Sequence, residues 1–413
     1  MRQDNRPGAL RRLTAVDEVE AVIGRPAAVI MLKQIGSLDE GCRAVLARSP
    51  VAAVGYRDAD GARRTDFVGG APGFARVLSP TRFSCALPGP GDPRGPASFF
   101  FLLPGVGEIL RVNGTVAGRA GAETAFDVEE AYMHCAQAVL RSRLWQPPPP
   151  EAPSAAADTA SPSDPADPAD AAGTAAGGPL DRPGVAEFLA AAPFLALSTW
   201  DSSAGSDTSP RGDRGPVARI LDGRTLVIPD RRGNKRADSL HNLLQDDRLS
   251  LAALVPGHGG VLHVRGRGAI TDDAPLLATL ALRGTPPHLA LVVDVEHAEL
   301  VDNDAVTRSR LWTPDARLDR DAAPDMMALA GDHLAANAGA EGAPPAFLLR
   351  LLGALPGVTR LMRLVIDRAY RSGLRKEGYD DEPGARRRQS PRRRAGAGGS
   401  GGRARSRAGQ GDR

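Results

Sequence analysis

The string Val128-Glu129 is followed thirteen residues on by Arg141-Ser142-Arg143-Leu144-Trp145, and Val295-Glu296 is followed at the same spacing by Arg308-Ser309-Arg310-Leu311-Trp312. Working outward, Ser49-Pro50-Val51-Ala52-Ala53-Val54 matches Ala192-Pro193-Phe194-Leu195-Ala196-Leu197 at an offset of 143, and Ala75-Arg76-Val77-Leu78 matches Ala218-Arg219-Ile220-Leu221 at the same offset. Further on, Leu103-Pro104-Gly105 and Arg111-Val112-Asn113-Gly114 match Val255-Pro256-Gly257 and His263-Val264-Arg265-Gly266 at an offset of 152. The chain therefore contains one domain twice. The nine-residue change of offset falls in or just after Pro229-Asp230-Arg231-Arg232-Gly233-Asn234-Lys235-Arg236, so the second copy has a basic, glycine-containing loop that the first lacks.

Each copy reads mostly as short strands separated by turn signals. In the second, Phe194 to Thr199, Val217 to Leu221, Thr225 to Pro229, Leu249 to Val255, Val261 to Ile270 and Leu289 to Glu299 are candidate strands, with helices over Ala237 to Leu244 and Ala274 to Leu282. In the first, Val51 to Gly55, Gly73 to Leu78, Arg82 to Leu87, Phe99 to Leu103 and Glu108 to Gly118 correspond. Six short strands with few helices predict a small closed barrel. After Pro314 the apolar spacing turns helical over Met326 to Ala336, Ala346 to Leu352 and Val358 to Tyr370. The expected organisation is a first copy over 1–145, a linker over 146–182, a second copy over 183–314, a helical extension over 315–381 and a tail over 382–413.

A chain of 413 residues, 42% hydrophobic, is long enough for two or three domains with real cores. Its longest apolar stretches fall far short of the roughly 20 residues that cross a bilayer, so no membrane role is expected. The start, Met1-Arg2-Gln3-Asp4-Asn5, has no apolar signal core, and Cys42, Cys85 and Cys135 lie in no metal-ligand spacing, so a reduced cytosolic protein is the simplest reading. The net charge of +3 averages unlike regions: from Gly384 onward ten arginines face one aspartate, a tail of +9 that leaves −6 for the rest. That tail has no residue able to build a core and is expected to be disordered. It reads either as a solubilising extension or as a segment touching nucleic acid or anionic lipid through phosphate contacts. The linker, almost entirely Pro, Ala, Asp, Ser, Gly and Thr, would span roughly 30 Å as a flexible coil, enough to let the two copies pair within one chain.

The loop Asp230 to Arg236 lies between a strand and a helix expected near Ala237. Backbone N–H groups at a helix start, with side-chain cations beside them, suit a phosphate. Asp230, Arg231, Gly233, Asn234, Lys235 and Arg236 are therefore candidate binding residues, a solvated basic turn being the plainer reading of such a run. No Ser/His/Asp, HExxH or cysteine-cluster constellation competes, no metal site is expected, and His134, His241, His258 and His263 read as satisfied polar residues.

Gly233-Asn234-Lys235-Arg236-Ala237 after a strand, Ser209-Pro210-Arg211-Gly212 and the closing Arg-Ser-Arg-Leu-Trp strings resemble the pyridoxamine 5′-phosphate oxidase-like FMN-binding split barrels, over residues 40–145 and 183–314. The resemblance implies six-stranded barrels that pair, with FMN in the groove between them. It implies that Lys235 and Arg236 meet the FMN phosphate and that Arg219, Ile220 and Leu221 lie on the strand passing the flavin ring, with Asn242 on the next helix a further candidate. From the facing copy, Trp145 and Arg141 or Arg143 would correspond to the family's closing Trp and Arg, and Arg111 and Asn113 stand where the second copy has His263 and Arg265. The losses are complementary, as for one composite site surviving out of two. Nothing after Trp312 resembles the Arg-and-His segment that grips substrate phosphate in the family, which argues against pyridoxamine phosphate as the substrate.

The expectation is a mainly β protein, two tandem split barrels forming an intramolecular pseudo-dimer, that binds FMN and acts as an oxidoreductase on an unknown small molecule, with no catalytic residue assigned. Such a chain can function as a monomer. A deazaflavin or haem in the same barrel remains an alternative, as does a non-catalytic FMN-binding protein whose tail binds nucleic acid.

Overall fold

Phe99-Phe100-Phe101-Leu102-Leu103 shows no alternation because both of its faces are buried. Phe99 and Phe101 join a core with Val54, Phe83, Leu110 and Phe126, while Phe100 and Leu102 face the second copy. The computed structural model describes residues 10–89, 92–146, 177–203, 205–319, 322–337 and 358–379. Most of the expected linker, the helix expected over Ala346 to Leu352 and the arginine-rich tail lie outside them.

In chain order the first part runs β1 (Arg12–Leu13), α1 (Val16–Ile23), α2 (Ala28–Met31), α3 (Glu40–Arg48), β2 (Val51–Arg57), β3 (Arg63–Gly69), β4 (Arg76–Ser79), β5 (Arg82–Ala86), β6 (Arg94–Leu102), β7 (Ile109–Ala120), β8 (Glu123–His134) and α4 (Gln137–Ser142). The second runs α5 (Val185–Ala191), β9 (Phe194–Trp200), β10 (Ser206–Gly212), β11 (Arg219–Ile220), β12 (Thr225–Asp230), α6 (Asp238–Gln245), β13 (Arg248–Leu254), β14 (Gly260–Thr271), α7 (Ala274–Thr279), β15 (Leu289–Asp302) and α8 (Asp304–Ser309), then α9 (Met326–Ala336) and α10 (Val358–Lys376).

The two sheets have one topology, β3-β2-β6-β7-β8-β5-β4 and β10-β9-β13-β14-β15-β12-β11, antiparallel throughout. These are tandem split barrels, six main strands each with a short edge strand added. The match between Arg-Val-Asn-Gly and His-Val-Arg-Gly has a physical basis: the ladder slips at Asn113/Gly114 and at Arg265/Gly266. A Cβ on Gly114 would lie 1.8 Å from the Asp127 carbonyl oxygen, and one on Gly266 would lie 2.1 Å from that of Asp294. Both copies therefore need glycine at the bulge.

The strands β3, β8 and β10 were not among those expected. The sequences of β3 and β10, RRTDFVG and SDTSPRG, are polar, yet much of each is buried against the other copy. There Thr65 Oγ1 donates to Ser198 Oγ at 2.8 Å, and the Ser98 and Thr208 hydroxyls are 2.7 Å apart. Hydroxyls pairing across the interface replace the apolar alternation that marks a strand.

Between the copies lies a shared apolar layer that includes Val51, Phe67, Phe100, Phe194, Leu254, Val306 and Leu311. Trp312 Nε1 donates to the Leu144 carbonyl at 2.9 Å, and Trp145 Nε1 donates to that of Val106 at 2.6 Å. Truncating a fully buried aromatic of this layer, such as Phe100 or Phe194, costs about 3–5 kcal/mol. The chain ends are exchanged: β1 pairs with β14 and Val19 enters the second copy's core, whereas Met326, Met327 and Leu329 of α9 enter the first copy's core.

Candidate functional site

The second copy's extra residues form α6 and the loop before it. Between β12 and β13 lie residues 231–247, where the first copy has only 87–93 between β5 and β6. Within that loop Lys235 and Ala237 both adopt left-handed backbone, φ 63° and 58°. Each costs about 1–2 kcal/mol outside glycine, so surrounding contacts hold the loop in shape.

The loop forms one wall of a cleft of about 640 Å³. Opposite it the first copy contributes Arg111, His134, Cys135, Gln137 and Arg141; β10 contributes Asp207, Ser209 and Arg211; α1 and its following turn contribute Ala21 to Gly24; and α10 with the residue after it contributes Gly373, Lys376 and Glu377.

Of the residues singled out from sequence, Asp230, Arg231, Gly233, Asn234, Lys235, Arg236, Arg111 and Arg141 line this cleft. The others lie elsewhere. Arg219, Ile220 and Leu221 are on or next to the edge strand β11, where Arg219 and Leu221 are exposed. Asn242 is buried and donates to Thr199 Oγ1 at 3.2 Å. Arg143 caps α4 in left-handed backbone, and Trp145 packs at the edge of the inter-copy layer. Asn113 acts behind the wall, donating to Glu130 Oε2 at 3.1 Å, while Glu130 Oε1 accepts from Gln34, whose Oε1 accepts from Arg236 at 3.2 Å.

The cations of the cleft are largely matched inside it. Arg111 pairs with Asp207, both side chains almost fully buried, and Ser239 Oγ donates to the other Asp207 oxygen at 2.7 Å. Burial alone would raise the Asp207 carboxyl, but Arg111, Ser239 and Arg236 together hold it below the ordinary value. Arg236 donates to Asp238 at 2.8 Å and stacks 4.2 Å over the Tyr132 ring, with the Arg111 guanidinium 5.2 Å from the same ring. Tyr132, from the first copy, thus meets a cation from each copy. Arg231 donates to Asp213 at 2.9 Å, Arg211 pairs with Asp230, and Arg141 is gripped by both oxygens of Glu377.

Eight arginine and lysine side chains against five carboxylates line the cleft, an excess of positive charge suited to a phosphate. Arg232 and Lys235 are exposed within the loop, and nothing lies within 4 Å of where a Gly233 Cβ would be. Among the described residues Arg111 Nε and Arg211 Nε are buried without a hydrogen-bond partner. Buried donors of this kind invite a ligand or water. Burial, with Arg111 nearby, pushes His134 down to about 3, so its imidazole is neutral at pH 7, and its Nδ1 lies 3.2 Å from the Cys135 carbonyl oxygen. Glu377, Tyr379, Asp207, Asp213 and the turn at Gly24 carried no local signal. Their importance rests on contacts from distant parts of the chain.

Residues 182–302 match the family model described as pyridoxamine 5′-phosphate oxidase. The comparison with curated proteins gives no significant match. Similar solved structures include HupZ of Group A Streptococcus, 13% identical over 29% of this chain and 91% of that chain, TM-score 0.24. General stress protein 26 of Bacillus anthracis str. Sterne is 11% identical over 28% and 94%, TM-score 0.23. A Clostridium acetobutylicum protein related to general stress protein 26, of the pyridoxinephosphate oxidase family, is 12% identical over 29% and 92%, TM-score 0.20. The stretch matched by the family model runs from just before α5 to the end of β15 and so resembles the pyridoxamine 5′-phosphate oxidase family over the second copy.

Proposed function

We propose that the chain binds one FMN in the cleft between its copies and acts as an oxidoreductase on a small molecule. The observation that carries this reading is the composition of the cleft: the basic loop comes only from the second copy, Arg111, His134 and Arg141 come only from the first, and they meet in one cavity. Its volume falls within the roughly 300–1,000 Å³ of small-molecule sites. The donor set fits the cofactor's phosphate, with Lys235 and Arg232 as exposed cations, Arg236 fixed over Tyr132 and unpartnered donors on Arg111 and Arg211.

A bound flavin would supply hydride transfer. The protein's part is position and electrostatics. Lys235 and Arg232 would bind the phosphate; Tyr132 and Asp238 hold Arg236 in place; Val217 and Leu240 give the wall apolar patches. His134, held neutral, presents imidazole rather than imidazolium to the cleft. The substrate would be a small molecule other than pyridoxamine phosphate, since the chain after Trp312 brings α10 and Glu377 to the cleft instead of the family's phosphate-gripping segment.

The test is cofactor identity and stoichiometry on purified full-length protein, by absorbance and mass spectrometry of the released ligand. One FMN per chain, lost from the Lys235→Ala/Arg236→Ala double variant, is expected. Protein that neither carries nor takes up FMN would end the reading, and a deazaflavin or haem in its place would redirect it.

A further inference from the structure

Away from the cleft, α3 and α9 bring together three side chains that sequence spacing gives no reason to group. Asp39 caps α3, its Oδ1 accepting from the Cys42 backbone N–H at 2.7 Å. That leaves Oδ2 free to lie 3.1 Å from His333 Nε2. Cys42 Sγ is 3.7 Å from the same nitrogen, and the three ligand atoms lie within 4.8 Å of one another.

The ring orientation narrows what this cluster can be. His333 Nδ1 is 2.8 Å from the Lys33 carbonyl oxygen, so Nδ1 carries hydrogen and donates. Nε2 therefore faces both the carboxylate and the sulfur. A nucleophile-and-base relay needs thiol and carboxylate on opposite ring nitrogens, and here they share one. Cys42 and His333 are also fully buried, so no substrate reaches the thiol. A borderline-soft cation is what nitrogen, sulfur and carboxylate oxygen can hold in common. Zinc bonds of about 2.0–2.3 Å in tetrahedral geometry place neighbouring ligand atoms about 3.3–3.6 Å apart, close to the 3.1 and 3.7 Å from His333 Nε2 to Asp39 Oδ2 and Cys42 Sγ. The Nδ1–H bond to a backbone carbonyl is the outer contact that orients metal-binding histidines.

We propose that Asp39, Cys42 and His333 bind a divalent metal of the zinc class, its fourth position open to solvent beside Asp39, the one partly exposed member. The metal staples α9 to α3. Alongside it α9 is held by apolar packing of Met326, Met327 and Leu329 in the first copy's core and by Asn337, which donates to the Leu32 and Gln34 carbonyls at 2.9 and 2.7 Å. Because α10 packs on α9, the staple also helps place Glu377 at the cleft.

The experiment strips full-length protein with a chelator, confirms its fold by circular dichroism, and titrates it with Co²⁺ and then Zn²⁺. One equivalent of Co²⁺ per chain should bind with a thiolate-to-cobalt charge-transfer band, Zn²⁺ should displace it, and Zn²⁺ should raise the melting temperature. Cys42→Ser should abolish the band, and His333→Gln should weaken binding by more than about tenfold. Folded wild-type protein with no band and no zinc-dependent stabilisation would overturn the proposal and leave a plain contact between His333 and Asp39. A band that survives in Cys42→Ser would overturn it too, by placing the metal on another cysteine.

Discussion

Arg141, on the last turn of α4 in the first copy, is held by Glu377 at the far end of the chain: Nε donates to Oε2 at 2.9 Å and Nη2 to Oε1 at 3.0 Å, with each side chain 6% exposed. The same guanidinium donates to the Arg232 carbonyl in the basic loop, and its carbon lies 5.9 Å from the Tyr379 ring. A carboxylate from the chain itself thus occupies the paired donors that a phosphate would use.

Glu377→Gln keeps the shape and removes the charge, which frees Arg141 for an anion. FMN affinity is expected to rise by about tenfold, the scale of one charge-assisted hydrogen bond at about 1.5 kcal/mol. The ligand-free variant should also be less stable, because a buried guanidinium loses its partner. Calorimetric titration with FMN measures the first effect, and unchanged affinity would show that Glu377 does not compete for the site.

Arg111 and Asp207 join the copies through a pair of side chains 2% and 4% exposed. Asp207→Asn leaves the guanidinium uncompensated and is expected to cost about 3–5 kcal/mol in chemical denaturation. The double variant Arg111→Met/Asp207→Leu should recover most of that loss while abolishing FMN binding. A single variant as stable as wild type would place the pair outside the energetics of the interface.

Gly55 tests the near two-fold relation directly. A Cβ there would lie 2.3 Å from Ser198 Oγ, 2.4 Å from Thr208 Oγ1 and 2.6 Å from Ser198 Cβ, and Ser198 is Gly55's own counterpart in the second copy. Gly55→Ala should cost about 1–3 kcal/mol by overpacking. Adding Ser198→Gly removes two of the three obstructing atoms and should restore part of the loss, read as the melting temperatures of the four proteins in the cycle.

Stability should fall as pH drops below neutrality. Burial, with Arg111 nearby, holds His134 down to about 3, so its stabilising contribution is full above the ordinary 6.5 and is lost as pH falls toward that lower folded-state value. Asp207 is held below 3.8, so its contribution is present above that value and is lost as pH falls through the lower folded-state one. The melting temperature should therefore be lower near about pH 5 than at neutrality, and His134→Gln should flatten that difference. A wild-type curve that stays flat between about pH 5 and 7 would contradict the assignment.

The duplication was legible in the chain because matched strings at fixed spacing survive in both copies, and each marks a local need: glycine at the bulge for Gly114 and Gly266, a left-handed cap for Arg143 and Arg310. The basic loop was legible for a similar reason, since it is a continuous run with a charge pattern of its own. β3 and β10 stayed hidden because their buried faces are satisfied by hydroxyls and ion pairs from the other copy, which no period along the strand reveals. Arg219, Ile220 and Leu221 matched by position but lie at a sheet edge, away from the cleft lining.

By itself the sequence determined that two unequal copies exist and which one carries the cationic turn, because repetition and charge are properties of consecutive residues. Only the tertiary structure decided that Glu377 meets Arg141, that Tyr132 lies between Arg111 and Arg236, and that His333 joins Asp39 and Cys42. Those contacts join residues up to hundreds of positions apart, and what brings them together is the burial of apolar faces between copies and the exchange of the chain's two ends.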